Sequence, residues 1–200
     1  AILELLQVRW NNDELDFALQ LANVVLEHFA DPDGGFFFTA DDHENLIQRP
    51  KPLSDDSLPS GNAIAAKVFG RLGHLLGDNR FLDAATGTLQ AAAGAIQQAP
   101  YGHTGLLLGL EEYLYPPDTV VIRGSGDLTQ WRDSATRGYH PRRMVFAIPD
   151  EAGDTLPGLL AERSAASCNT AWVCKGTGRQ PPVTDLDTLV ELLQEQPDPC

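Results

Sequence analysis

The chain has 200 residues, of which 28 are Asp or Glu and 14 are Lys or Arg, so its formal net charge at pH 7 is −14. This acid excess argues against a nucleic-acid or anionic-membrane partner, because both require a basic binding surface. The 42% hydrophobic and 21% charged residues are typical of a folded protein. No apolar run is long enough for a membrane span and no signal-peptide pattern is visible, so we expect a cytoplasmic protein.

The first half of the chain has the apolar periodicity of amphipathic helices. The spacing predicts helices over residues 13–30, 61–76 and 103–113, with another that Asp78 caps and that continues past Ile96. Small side chains let helices approach closely, so the alanines of 91–95 indicate close helix–helix contact. We therefore expect helical hairpins stacked in sequence.

After Pro116-Pro117 the pattern changes to short apolar runs that alternate with helix-like stretches. The runs predict strands at 120–122, 144–148 and 171–174. The stretches between and after them predict helices at 127–137, 156–162 and 185–195. This alternation favours a small, mostly parallel α/β unit. The sequence thus predicts mixed α and α/β architecture, with helical hairpins over 1–117 and an α/β unit with a frayed tail over 118–200.

Residues 34–62 form a polar segment that is long for a connection between two helices, and such connections are often functional. Its aromatic run 36–38 could anchor it. The titratable residues of the segment are Asp41, Asp42, His43, Glu44, Arg49, Lys51, Asp55 and Asp56. Carboxylates near a histidine and an arginine are suited to general acid–base chemistry and to binding polyhydroxylated ligands.

Each of these residues also has a structural interpretation. Asp41 and Asp42 are suited to turns or helix caps, and His43-Glu44 to a surface turn. Arg49 and Lys51 precede prolines, which is typical of an extended segment. For Ser60, Asn62 and His103, the alternative is capping or burial at a helix start.

The three cysteines, Cys168, Cys174 and Cys200, are a poor disulfide framework, and their spacing does not favour a metal site. We interpret them as ordinary thiols and expect neither a metal nor a cofactor.

The string GGFFFTADDHENLIQRPKPLSDDSLPSGNAIAA resembles the C-terminal part of the bacterial YyaL and spermatogenesis-associated thioredoxin-like protein family. Pro100, the strand 120–122 followed by Gly124, and the string AWVCKGTGRQPPVTD are also similar to family members. The resemblance implies a longer parent with a thioredoxin-like domain and an α/α toroid similar to six-hairpin glycosidases and N-acylglucosamine epimerases. This chain would be its C-terminal part. Arg179 stands where members commonly have a second cysteine.

The resemblance implies that the segment 41–62 faces a toroid cavity where a carbohydrate could bind. For glycoside hydrolysis the candidate carboxylates are Asp41, Glu44 and Asp55, since that reaction uses two of them. For epimerisation the candidate for proton transfer is His43 or His103. The candidate substrate-binding residues are Arg49, Ser60, Asn62 and His103.

An alternative hypothesis is a non-catalytic packing or interaction module that is inactive alone. About two hairpins cannot close a six-hairpin ring, and an open cavity would leave a catalytic site in water. The partners would then be the remainder of the parent protein or a second copy of the chain.

Overall fold

The computed structural model describes residues 1–42, 44, 47–164, 168–176 and 178–194. It contains helices and a four-stranded mixed sheet, which confirms the mixed fold class. The chain divides into two compact units, one of Leu19–Pro116 and one of Ala1–Ala18 with Pro117–Cys200. Residues 1–18 therefore cluster with the sheet, which the change of pattern near residue 117 does not by itself predict.

The helical unit confirms the helices expected from periodicity. Its elements are the C-terminal part of α2 (Asn12–His28), α3 (Gly61–Leu76), α4 (Asn79–Gln98), a 3-10 turn (Pro100–Gly102) and α5 (Thr104–Leu114). Gly77 ends α3 in the left-handed conformation with φ of +68°. Asp78 caps α4 by accepting a hydrogen bond from the backbone N–H of Arg80 at 2.9 Å.

The core of the helical unit is built on small residues and stacked aromatic rings. Apolar side chains of α3, α4 and α5 form one buried cluster: Ala63, Ala66, Leu89, Ala92 and Leu106. Beside this cluster the ring of Phe69 stacks on Phe36 at 5.2 Å and on Phe81 at 5.7 Å. Phe36 thereby anchors the α2–α3 connection to α3, whereas Phe38 of the same aromatic run is 71% exposed.

The sheet unit begins with α1 (Ile2–Val8) and the first part of α2. After residue 117 follow β1 (Asp118–Gly124), α6 (Thr129–Ala135), β2 (Arg143–Pro149), 3-10 turns (Asp150–Thr155 and Gly158–Leu160), β3 (Thr170–Lys175), β4 (Gly178–Arg179) and α7 (Leu186–Gln194). The strand order is β2-β1-β3-β4. The predicted tail 196–200 lies outside the described residues.

The expectation of a mostly parallel sheet was wrong. β1 and β2 are parallel, but β3 is antiparallel to β1, and β4 is antiparallel to β3. Parallel neighbours need a crossover that usually contains a helix, as α6 supplies between β1 and β2. The helix predicted at 156–162 is replaced by a 3-10 turn in which Gly158 has φ of +54°, outside the right-handed helical region.

The two faces of the sheet differ in chemistry. One face carries Val120, Ile122 and Val173, which pack with residues of α6 and α7. Side chains alternate along a strand, so Thr119, Val121 and Arg123 lie on the other face. Their register partners there are Cys174, Trp172 and Thr170 of β3. No described helix in either unit is long and apolar enough to cross a membrane.

Candidate functional site

The candidate site is the connection between α2 and α3, and it begins with a tight turn. Gly34 and Gly35 have φ of +91° and +79°, and a Cβ on Gly34 would lie 2.4 Å from the carbonyl oxygen of Gly87 on α4. Asp31 accepts a hydrogen bond from the N–H of Asp33 within this turn. Glycine is needed at both positions for two reasons. Other residues rarely adopt this conformation, and the surrounding atoms leave no room for a Cβ.

His28, the last residue of α2, forms an acid–base pair with Asp41 of the connection. Their side chains, which are 30% and 55% exposed, meet with Nδ1 of His28 2.9 Å from Oδ1 of Asp41. This hydrogen bond raises the pKa of His28 and lowers the pKa of Asp41 from their ordinary values. The pair can therefore hold a proton on the imidazole and a negative charge on the carboxylate, which is the arrangement that general acid–base chemistry uses.

Asp42 extends this pair into a group of three potential metal ligands. The ligand atoms of His28, Asp41 and Asp42 all lie within 4.8 Å of one another. Imidazole nitrogen and carboxylate oxygen are both ligands of divalent transition metals. Both carboxylates are exposed to solvent, and exposed acidic groups are common without a metal, so this group alone does not identify a metal centre.

Arg49 binds the backbone carbonyl of His28 and not its imidazole. Its Nη2 donates to the carbonyl oxygens of Thr39 at 2.7 Å and His28 at 3.1 Å, and its guanidinium lies 4.3 Å from the ring centre of Phe37. The predicted substrate-binding arginine thus ties the connection to the end of α2. Both carbonyls accept from Nη2, while Nε of Arg49 is buried and has no hydrogen-bond partner among the described residues.

Lys51 and Asn62 hold the middle of the connection. Nζ of Lys51 lies 2.6 Å from Oδ2 of Asp31 and 2.8 Å from the carbonyl oxygen of Gly34. Asn62 is buried, accepts from the N–H of Phe36 at 2.7 Å and donates to the carbonyls of Phe36 and Pro52, both at 2.9 Å. The amide of Asn62 therefore replaces the missing backbone partners of two chain segments.

Asp55 joins the end of the connection to α5. Oδ1 accepts from the N–H of Ser60 at 2.9 Å, while Oδ2 accepts from the hydroxyl of Thr104 at 2.9 Å and from the N–H of Gly105 at 2.7 Å. Burial raises the pKa of Asp55, but these three hydrogen bonds lower it, and the net pKa lies below its ordinary value. This environment favours a permanently ionised anchor over a carboxyl group that exchanges protons.

Ser60 and His103 are both buried at helix starts. The hydroxyl of Ser60 accepts from the N–H of Ala63 at 3.2 Å, which is a helix cap. Nδ1 of His103 lies 2.8 Å from the carbonyl oxygen of Ala99. His103 is also close enough to Asp55 for its charge to contribute to the lowered pKa of that carboxyl.

The structure brings the predicted site residues into two groups. Asp41 and Arg49 meet at His28, and Asp55, Ser60 and His103 meet at the starts of α3 and α5. Glu44 is exposed, and His43 lies outside the described residues. Most of the predicted ligand-binding atoms are used in hydrogen bonds within the connection or between it and the helices.

A charged cluster between α3 and α5 was not predicted from the sequence. Glu112 accepts from Nε of Arg71 at 2.9 Å and from Nη2 of Arg71 at 2.7 Å, and Nζ of Lys67 lies 3.3 Å from the same carboxylate. Burial lowers the pKa of His74, while Glu112 opposes that shift. Lys67, Arg71 and His74 have i, i+4, i+7 spacing, which was the available signal that they share a face of α3.

No family model matches the chain, and a search of curated proteins gave no similar protein. The resemblance to the YyaL-like family therefore stays a prediction.

Proposed function

We propose that the chain is a non-catalytic packing module, which docks through α2 onto further helices of a toroid of the YyaL-like type. The observation that carries the proposal is an apolar stripe on α2. Leu21 and Val24 have i, i+3 spacing in the part of α2 that belongs to the helical unit, and each is 46% exposed. A contiguous apolar stripe on a helix is typical of a surface that another helix covers.

The chemistry of the α2–α3 connection also supports a packing role. Arg49 and Asn62 bind backbone groups, and Asp55 binds the start of α5. Residues that catalyse or bind sugars need polar atoms directed at a ligand. Here those atoms fix the shape of the connection, as structural residues do.

The proposal predicts that the isolated chain associates through α2. We expect multi-angle light scattering to give a mass that rises with concentration, together with binding of an apolar-surface dye. The double variant Leu21→Glu/Val24→Glu should abolish both effects. The matched control is Gln20→Glu/Asn23→Glu, which adds the same charge at exposed positions of the same helix and should leave association unchanged.

A monomer at every concentration with negligible dye binding would contradict the packing proposal. So would equal effects of the two double variants, because added charge alone would then explain the result. Measurement at high ionic strength is required, since the net charge of −14 opposes contact between copies.

A second candidate function is sugar binding with acid–base chemistry by this chain, and the His28–Asp41 pair favours it. The pair is exposed and carries both a proton donor and a carboxylate. Calorimetric titration of the chain with a panel of monosaccharides and disaccharides tests this candidate. Binding that Asp41→Asn removes and that the exposed control Asp33→Asn retains would support it; heats of dilution alone would count against it.

A further inference from the structure

Neither proposed function uses the Arg163–Cys174 contact. Cys174 lies on the face of the sheet that also carries Thr119 and Arg123. Nη2 of Arg163 donates to Sγ of Cys174 at 3.2 Å. Arg163 and Cys174 are each only 5% exposed. A guanidinium is an unusual neighbour for a buried thiol, because burying a charge is costly unless negative charge compensates it.

Two buried polar atoms beside this sulfur have no hydrogen-bond partner among the described residues. They are Nη1 of Arg163 and Oγ1 of Thr119. Thr119 is 1% exposed and is the register partner of Cys174, so the two side chains are neighbours on one face of the sheet. Buried polar atoms are rarely left unpaired, and those that are require an explanation such as an ion, a water or a modification.

Two further arginines lie near Arg163, and each is paired with a carboxylate; the partner of Arg123 is Asp150, at 3.8 Å. Nη1 of Arg123 donates to the carbonyl oxygen of Arg163 at 3.0 Å. Arg179 is the register partner of Cys174 on β4 and forms an exposed ion pair with Glu162 at 3.2 Å. Burial lowers the pKa of the Arg163 guanidinium, so a negative group beside it would stabilise its charged form.

We propose that Cys174 is a site of oxidation by hydroperoxides, at which the added oxygen binds Arg163 and Thr119. The thiolate sulfur attacks one oxygen of the hydroperoxide, an S–O bond forms and the O–O bond breaks. The sulfur loses two electrons and becomes a sulfenic acid, while the leaving oxygen departs as hydroxide or alkoxide and takes up a proton. The new oxygen accepts hydrogen bonds from the two unpaired donors.

Competition between the cysteines of the chain tests this proposal. Cys168 is exposed, so accessibility alone would make it react before the buried Cys174. We treat the folded chain with hydrogen peroxide and a sulfenic-acid-trapping dione, and then identify labelled peptides by mass spectrometry. Cys174 should be labelled at least about tenfold faster than Cys168, because Arg163 and Thr119 offer hydrogen bonds to the oxygen that the reaction adds. In urea this preference should disappear.

Two pairs of variants separate an effect on the reaction from an effect on folding. Each pair has one substitution that keeps the charge or hydroxyl and one that removes it. Arg163→Lys keeps a positive charge, whereas Arg163→Gln removes it, so the second should slow labelling about tenfold more than the first. Thr119→Ser keeps the hydroxyl and should preserve the lifetime of the sulfenic acid, whereas Thr119→Val should shorten it. Circular dichroism shows which variants are folded.

The proposal is overturned if Cys168 is labelled first in the folded chain. It is also overturned if folded Arg163→Gln and Thr119→Val behave as the unsubstituted chain does. Neither result depends on the packing proposal, because no variant here changes α2.

Discussion

His28 shows how a single neighbour sets the protonation of a side chain. Asp41 raises its pKa, and in return His28 lowers the pKa of Asp41. The contact stabilises the fold fully only while the imidazole is protonated and the carboxylate is ionised. That stability is lost as pH rises through the raised pKa of His28, and also as pH falls through the lowered pKa of Asp41.

We predict that Asp41→Asn moves the pKa of His28 down towards 6.5, its ordinary value. The amide cannot supply the negative charge that favours the imidazolium. An NMR titration of the imidazole resonances measures this directly. Glu27→Gln is the control, because Glu27 contributes less to the shift than the hydrogen bond does; an unchanged pKa in Asp41→Asn would contradict the assigned contact.

Asn62, in the first turn of α3, holds the α2–α3 connection in place. Asn62→Ala removes all three of its hydrogen bonds to the backbone of Phe36 and Pro52. Leaving such buried groups unpaired should lower the free energy of unfolding by about 3 kcal/mol. Urea denaturation measures this loss. Asn23→Ala, on an exposed position of α2, should change the free energy by less than about 0.5 kcal/mol.

Local sequence predicted some of these roles and could not predict others. The capping interpretation of Ser60 is confirmed by its hydrogen bond from Ala63. It could be predicted because the two residues are only three positions apart. The partner of Asn62 is 26 residues away, and the partner of Asp55 on α5 is 50 residues away. Contacts at that separation depend on how the helices pack, and no local pattern encodes them.

Helices α3 and α5 are joined by charge as well as by apolar packing. Glu112 is 9% exposed, and it faces Arg71 and Lys67 of α3. Removing one partner of a buried ion pair is strongly destabilising, because the other charge stays buried without compensation.

Glu112→Gln should therefore lower the free energy of unfolding by about 3–5 kcal/mol. Thermal or chemical denaturation measures the change. Asp83→Asn, an exposed position of α4, is the matched control and should have little effect. A small effect of Glu112→Gln would mean that Lys67 and Arg71 reach solvent once the carboxylate is gone.

Two helix starts were predictable where an aspartate side chain binds the backbone beside them. Asp127 accepts from the N–H of Thr129, and Asp185 accepts from the N–H of Thr188, near the predicted starts of α6 and α7. The segment 156–162 shows the limit of this reasoning. It has apolar spacing suited to a helix, but Gly158 takes a left-handed conformation that tertiary structure decides.

At the scale of the whole molecule, the net charge sets the tendency to associate. The sequence isoelectric point is about 4.5, so the charge of −14 at pH 7 is progressively neutralised as pH falls. Repulsion between copies then weakens.

We predict that light scattering of the unsubstituted chain rises as pH is lowered from 7 towards 4.5. Leu21→Glu/Val24→Glu should delay this rise to lower pH more than the charge-matched Gln20→Glu/Asn23→Glu does, since only the first removes the apolar stripe on α2. Circular dichroism at each pH shows whether the fold is retained. A rise that is identical in the two double variants would indicate that charge neutralisation acts without the stripe.

The bond from Gly105 to Asp55 has a consequence for hydrogen exchange. Gly105 lies in the first turn of α5, where backbone amides have no partner within the helix and exchange rapidly with solvent deuterium. Here the Gly105 amide is held by a carboxylate 50 residues earlier in the chain. Its exchange rate therefore reports how often the α2–α3 connection detaches from α5, and a single amide resonance measures the opening of a segment far away in sequence.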